Sequence, residues 1–313
     1  MKPLLDNTSV DLWITDAGLE TYLIYLQDIV LPEFASFPLV DSPKGRTEIN
    51  KYFNGFLDMA LKMNTGCILE SPTWRANPDW GEKLAYSRED LSRINTLAIR
   101  QMKALVNRHE LSSKSVLVSG CIGPRYDGYL FEKAMSSKEA CNYHADQIRA
   151  FKDGGADSIS ALTMTNSMEA LGIVIKALEN NLRVVISFTV ETDGKIPSGE
   201  TLEEAILAID NATDNYPEYY MINCAHPSHF INELDSQCTF AQRIAGVRCN
   251  ASCKSHEELD SMTDLDRGDI KALSHWHVTL LKKLPHLKVI GGCCGTDHEH
   301  VHHLAATHLN RSA

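Results

Sequence analysis

The chain has 313 residues, 43% of them hydrophobic and 23% charged, which is ample material for a buried core. A formal charge of -11 argues against nucleic-acid and anionic-membrane partners, because nothing could neutralise a run of phosphates. No apolar run approaches the roughly 18 residues of a membrane span, the start Met1-Lys2-Pro3-Leu4 shows no secretory signal, and nine cysteines point to thiols or metal ligands, so a cytoplasmic protein is expected.

No linker or shift in composition divides the chain, and a single domain over residues 1–313 is expected. Residues 12–15 form the first strand candidate. A Pro-, Phe- and Ser-rich stretch from 28 to 46 then reads as one long loop before the first helix. Further short apolar runs follow at 67–70, 116–120, 157–161, 184–189, 220–223, 244–249 and 287–291. Each is bounded by polar residues or Gly, as suits parallel strands buried on both faces. A helix candidate follows every strand, the clearest at 89–109, where Leu91, Ile94, Ala98, Met102 and Leu105 share one face. Ser136 with Glu139, Asn166 with Glu169, Thr201 with Glu204 and Thr296 with Glu299 have the spacing of helix starts. Eight repeated βα units predict a closed (β/α)8 (TIM) barrel, with an open doubly wound sheet as the alternative.

In such a barrel the chemistry lies at the C-terminal ends of the strands. The strongest local signal there is Gly291-Gly292-Cys293-Cys294-Gly295-Thr296. Adjacent cysteines normally diverge, and the flanking glycines allow the sharp turn that could aim both sulfurs at one ion. Cys224 ends the sixth strand, two places away. Three thiolates, Cys224, Cys293 and Cys294, make a zinc site with a fourth position open to substrate. Cys67, Cys141 and Cys238 read as space-filling, and Cys121 and Cys253 as structural. Cys249 ends the intervening strand and is a fourth ligand or, as the preferred reading, a spectator. His226 and His229 read as surface residues, and His298, His300, His302 and His303 as lying on an exposed final helix.

These residues resemble the homocysteine S-methyltransferases, including the betaine- and S-methylmethionine-dependent enzymes. The resemblance rests on Gly291–Thr296, Asn223-Cys224, Asp16-Ala17-Gly18, Ile122-Gly123-Pro124, Ser187-Phe188 and Gly199, and runs along essentially the whole chain. It implies a (β/α)8 barrel, zinc held by three cysteines and methyl transfer to a thiol such as homocysteine, giving methionine. Asp16 would orient the acceptor through its amino group, with Thr73 and Thr163 as further polar contacts. Three segments depart from the family pattern. Leu162 stands where relatives carry the glutamate that holds the acceptor's ammonium, Pro72-Thr73-Trp74 replaces Asn-Thr-Tyr, and Arg248-Cys249-Asn250 replaces Tyr-Pro-Asn. Glu70 or Glu191 is then expected to supply the missing charge, or the acceptor is a different thiol.

Zinc binds sulfur as thiolate, so no general base is obligatory. The donor must be electrophilic, and a sulfonium such as S-methylmethionine or S-adenosylmethionine leads. A zinc hydrolase on the same fold ranks low, because the first strand lacks a His-x-His. A zinc- and thiol-binding sensor or carrier without turnover is the competing reading from another class.

Overall fold

The computed structural model describes residues 4–5, 10–110, 115–131 and 133–310. The apolar runs form the strands β1 (Trp13–Thr15), β2 (Gly66–Glu70), β3 (Val116–Ile122), β4 (Ser158–Met164), β5 (Val184–Phe188), β6 (Tyr220–Asn223), β7 (Ile244–Cys249) and β8 (Val289–Gly292). Each pairs in parallel with its neighbour in sequence, and β1 closes on β8 through Trp13 opposite Val289 and Ile14 opposite Ile290. Closure decides for the barrel over the open sheet.

Around the barrel run α1 (Pro43–Met63), α2 (Arg88–Val106), α3 (Ala145–Gly154), α4 (Ser167–Glu179), α5 (Leu202–Thr213), α6 (Ile270–Lys283) and α7 (His298–Asn310). Ser136–Glu139 and Thr201–Glu204 form reciprocal capping boxes, and Asn166 accepts from the Glu169 N–H. The fourth expected start is different. The Asp297 carboxylate, not Thr296, accepts from the backbone N–H groups of Glu299 and His300 in the first turn of α7. Thr296 instead donates to the Cys293 carbonyl at 2.6 Å.

Two other expectations are corrected. Among the described residues, only short turns, Pro227–Phe230 and Thr239–Gln242 among them, follow β6 in place of a long helix. Pro227, Asn232, Asp235 and Ser236 all favour turns there. The stretch 28–46 is not one loop. Helical turns at Leu19–Thr21 and Tyr22–Leu26 come directly after β1, 3-10 turns span Pro32–Phe34 and Phe37–Asp41, and α1 starts at Pro43 under a Ser42 cap. Phe37 and Val40 are fully buried, so this segment packs onto the core.

The period of two in each strand sorts side chains between helices and lumen. On β2, Cys67 and Leu69 face the helix layer, while Ile68 packs in the separate inner cluster with Trp13, Leu162 and Met221. On β7, Val247 and Cys249 belong to the outer core, and Arg248 between them turns inward. The upper lumen is accordingly polar, with Glu70, Ser119, Ser160, Ser187, Asn223 and Arg248 all buried.

Candidate metal and thiol site

Cys224, Cys293 and Cys294 meet at the C-terminal rim, their sulfurs all within 4.8 Å of one another. Cys224 and Cys293 are joined as a disulfide with a Cα–Cα distance of 5.3 Å, and Cys294 is a free thiol. The group able to take a metal is therefore the reduced one.

The backbone explains the convergence. Cys224 has φ 53°, a left-handed conformation that costs about 1–3 kcal/mol for a non-glycine residue. Its carbonyl accepts from His256 Nε2 at 2.6 Å and Asn250 Nδ2 at 3.0 Å, and its N–H donates to the Arg248 carbonyl at 3.1 Å. On the other side, the Cys293 N–H donates to the Cys249 carbonyl at 2.9 Å and its carbonyl accepts from the Thr296 N–H at 3.1 Å. The glycines act in two ways. Gly295, with φ 79°, makes the turn itself. Gly291 and Gly292 instead permit close packing, since a Cβ on either would collide with Thr15 or Thr296.

Asn223, just before Cys224, ties three strand ends together. Its carbonyl oxygen accepts from the Thr163 N–H at 2.8 Å and the Ser187 hydroxyl at 2.6 Å. Its amide donates to Thr163 Oγ1 at 2.8 Å, and lies 4.0 Å from the Cys293 sulfur. Thr163, at φ 61° beside a shift in the β4–β5 register, is held by these bonds. Tyr129, from the loop after β3, brings its hydroxyl to 3.6 Å from Cys224 Sγ and 3.5 Å from Cys294 Sγ. Its ring lies 4.2 Å from that of His256.

Below the sulfurs lies a cavity of about 70 Å³ whose walls include Asp16, Glu70, Leu162, Thr163 and Arg248 as well as the three cysteines. Asp16 pairs with Arg248, Oδ1 to Nη2, at 3.0 Å. Burial pushes the Asp16 carboxyl up to about 7; Arg248 pulls it down and Glu70 pushes it further up. Burial likewise raises the Glu70 carboxyl, while Arg248 and the hydroxyls of Ser160 and Ser119 oppose the rise. A second cavity, about 240 Å³, adjoins the first at Phe34, Trp74, Tyr129 and Cys294. Its walls carry Tyr25, the four carboxylates of Asp127, Asp260, Asp264 and Asp266, and Arg75, which pairs with Asp127 at 3.8 Å.

The expected site residues are thus only partly assembled. Asp16, Glu70, Thr163 and the three cysteines face one cavity. Thr73 does not, because its hydroxyl donates to the Cys121 carbonyl at 2.8 Å and pairs with Ser71 at 2.7 Å. Glu191 stands outside it, engaged by His256 Nδ1 at 2.9 Å. Cys249 is excluded from the thiol group by strand parity, and burial raises its thiol to about 12. Cys121, expected to be structural, lines the cavity.

Several histidines are also placed differently. His226 is buried, its Nδ1 2.7 Å from the Ser228 hydroxyl, and desolvation lowers it to about 4. His298 stacks on Phe56, and His300 is buried between Asp297 and the Arg267 carbonyl. Only His302 and His303 of that group are exposed. Sequence reasoning singled out neither Tyr129 nor Arg248 as a site residue. Strand parity marks Arg248 as inward-facing, but no periodicity in the β3 loop points to Tyr129.

The metal fits this donor set: three convergent sulfurs at the wall of a cavity suit zinc, with the cavity side left for a fourth ligand. Among the described residues, no helix is long and apolar enough to cross a membrane.

Comparison with known proteins agrees with the geometry. Homocysteine S-methyltransferase 1 of Arabidopsis thaliana is 25% identical over 180 residues, 56% of this chain. That match spans about half (52%) of the relative's length. The oxidised form of the homocysteine methyltransferase MmuM from Escherichia coli superimposes with a TM-score of 0.73 at 17% identity, over 97% of this chain and 98% of that one. Its metallated form gives 0.72 with the same identity and coverage. At such identity the likeness concerns the fold. A family model described as homocysteine S-methyltransferase matches residues 13–308, and the chain belongs to that family.

Proposed function

We propose that this chain is a zinc-dependent S-methyltransferase that moves a methyl group from a sulfonium donor, S-methylmethionine or S-adenosylmethionine, to a thiol such as homocysteine, giving methionine. The observation that carries the reading is the convergence of Cys224, Cys293 and Cys294 on a cavity walled by Asp16 and Glu70. Zinc held by these cysteines would supply a lowered thiol proton affinity, so that the acceptor sulfur is nucleophilic at neutral pH. Asp16 and Glu70 bind the acceptor's ammonium group, Glu70 taking the role left empty by Leu162. Thr163 lines the wall beside them.

The outer cavity suits the donor. A sulfonium methyl is cationic, and the Tyr129 ring with Asp260 and Asp264 favours a cation there, beside the Arg75 guanidinium that stands over Trp74 and pairs with Asp127. In the transfer a new S–CH3 bond forms as the donor's S–CH3 bond breaks, and the donor leaves as a neutral sulfide.

The test combines metal content with donor choice. Protein prepared under reducing conditions is expected to carry about one zinc per chain. Cys224→Ser, Cys293→Ser and Cys294→Ser should each abolish tight binding, and Cys67→Ser should retain it. Thioether should form from sulfonium donors, without response to cobalamin. Full zinc retention in Cys293→Ser, or turnover with methyltetrahydrofolate alone, refutes the proposal. Binding of zinc and thiol without any thioether product favours a sensor or carrier.

A further inference from the structure

Arg248 is 4% exposed, deep in the lumen, where a guanidinium is costly to hold unless every donor is used. Three of its contacts are clear. Nε donates to the Gly292 carbonyl at 3.1 Å, Nη2 donates to the Ala17 carbonyl at 3.2 Å, and Nη2 lies 3.0 Å from Asp16 Oδ1. These contacts fix the guanidinium between the ends of β1 and β8, one residue from Cys293. Nη1 has no hydrogen-bond partner among the described residues, although it is buried.

Two carboxylate oxygens of the same cavity are also without a hydrogen bond: Asp16 Oδ1, held by Nη2 through charge alone, and Glu70 Oε2. Arg248 and Glu70 attract one another, yet Nη1 and Oε2 make no hydrogen bond to each other. A stranded buried donor or acceptor costs about 1–3 kcal/mol, and more when it is charged. A buried cation and a buried anion, each left with free valence in one cavity, make a template for a zwitterion. An α-amino acid satisfies both at once, carboxylate to guanidinium and ammonium to carboxylate. Arginine suits the first contact because its planar fork matches a carboxylate.

We propose that Arg248 is a specificity-determining residue that binds the carboxylate of the thiol acceptor, so that the acceptor is an α-amino-acid or other carboxylate-bearing thiol held beside Cys293. This rests on reading the site as a thiol methyltransferase. It goes beyond that reading by assigning the acceptor's anionic end to a residue at which the chain departs from the family's Tyr-Pro-Asn segment.

The test is calorimetric titration of the reduced, zinc-loaded protein with homocysteine, its desamino analogue 4-mercaptobutanoate and its decarboxylated analogue 3-mercaptopropylamine. In wild type, homocysteine is expected to bind at least about tenfold tighter than 3-mercaptopropylamine, the scale of one charge-assisted hydrogen bond. Arg248→Lys should weaken both carboxylate thiols by about tenfold or more and move 3-mercaptopropylamine by less than about twofold. Equal wild-type affinity for homocysteine and 3-mercaptopropylamine overturns the proposal, and this arm needs no variant to fold. An equal loss for all three ligands in Arg248→Lys also overturns it, by making Arg248 a brace for Asp16. Binding of none of the three thiols overturns the methyltransferase reading together with this inference.

Discussion

Asn223→Ala is the most informative single change, because one side chain closes three strand ends behind the sulfur site. The substitution removes the acceptor for the Thr163 N–H and the Ser187 hydroxyl and the donor to Thr163 Oγ1. Thr163 is 2% exposed and Ser187 fully buried, so water cannot replace the lost partners cheaply. A net loss of about 1 kcal/mol per bond, with a stranded N–H at the upper end of about 1–3 kcal/mol, sums to about 3–5 kcal/mol. An unfolding entropy of about 2.1 cal/mol/K per residue converts that into a Tm lower by about 5–8 °C for a chain of this length. Thr163 would also lose the bonds that hold it at φ 61°, and the Cys224 turn would loosen with it. Zinc affinity, read by chelator competition, is expected to fall about ten- to hundredfold, as for other groups that orient metal ligands. Asn142→Ala, at an exposed helix position, serves as the control. A Tm within about 1 °C of wild type, together with unchanged zinc affinity, would refute the reasoning.

Two further predictions concern the acids of the inner cavity. Glu70→Gln should reduce the preference for homocysteine over 4-mercaptobutanoate by about ten- to hundredfold, the scale of a charge-assisted bond to ammonium. Adding Leu162→Glu to that variant should recover much of the preference; an unchanged ratio in Glu70→Gln places the ammonium elsewhere. Asp16 titrates near 7 in the folded protein against 3.8 when unperturbed, so the native state holds the extra proton between those values. Its contribution to stability is therefore present below about 4 and is lost as pH rises through about 7, with a slope of at most about 1.4 kcal/mol per pH unit. Unfolding free energies from pH 5 to 8 should fall more steeply in wild type than in Asp16→Asn, and parallel slopes would remove Asp16 as the titrating group.

Much of this protein is determined by local pattern. Short apolar runs with polar or glycine borders place the eight strands to within a few residues, because burial on both faces demands them wherever they sit in the chain. The Gly291–Thr296 segment and Cys224 likewise announce the thiol cluster, since such glycine density around two cysteines serves a turn and close packing. Tertiary structure decided the rest. Closure of β1 on β8 is a property of the whole sheet. Cys249 and Arg248 are adjacent, and their opposite fates follow from which face of β7 points into the lumen. Thr73, Glu70 and Glu191 all carry polar groups near strand ends, but neighbours distant in sequence determine their use. Cys121 occupies the Thr73 hydroxyl, His256 engages Glu191, and Glu70 keeps an unpartnered oxygen in the cavity. Hydrogen-bond satisfaction depends on spatial neighbours, which spacing along one chain does not specify.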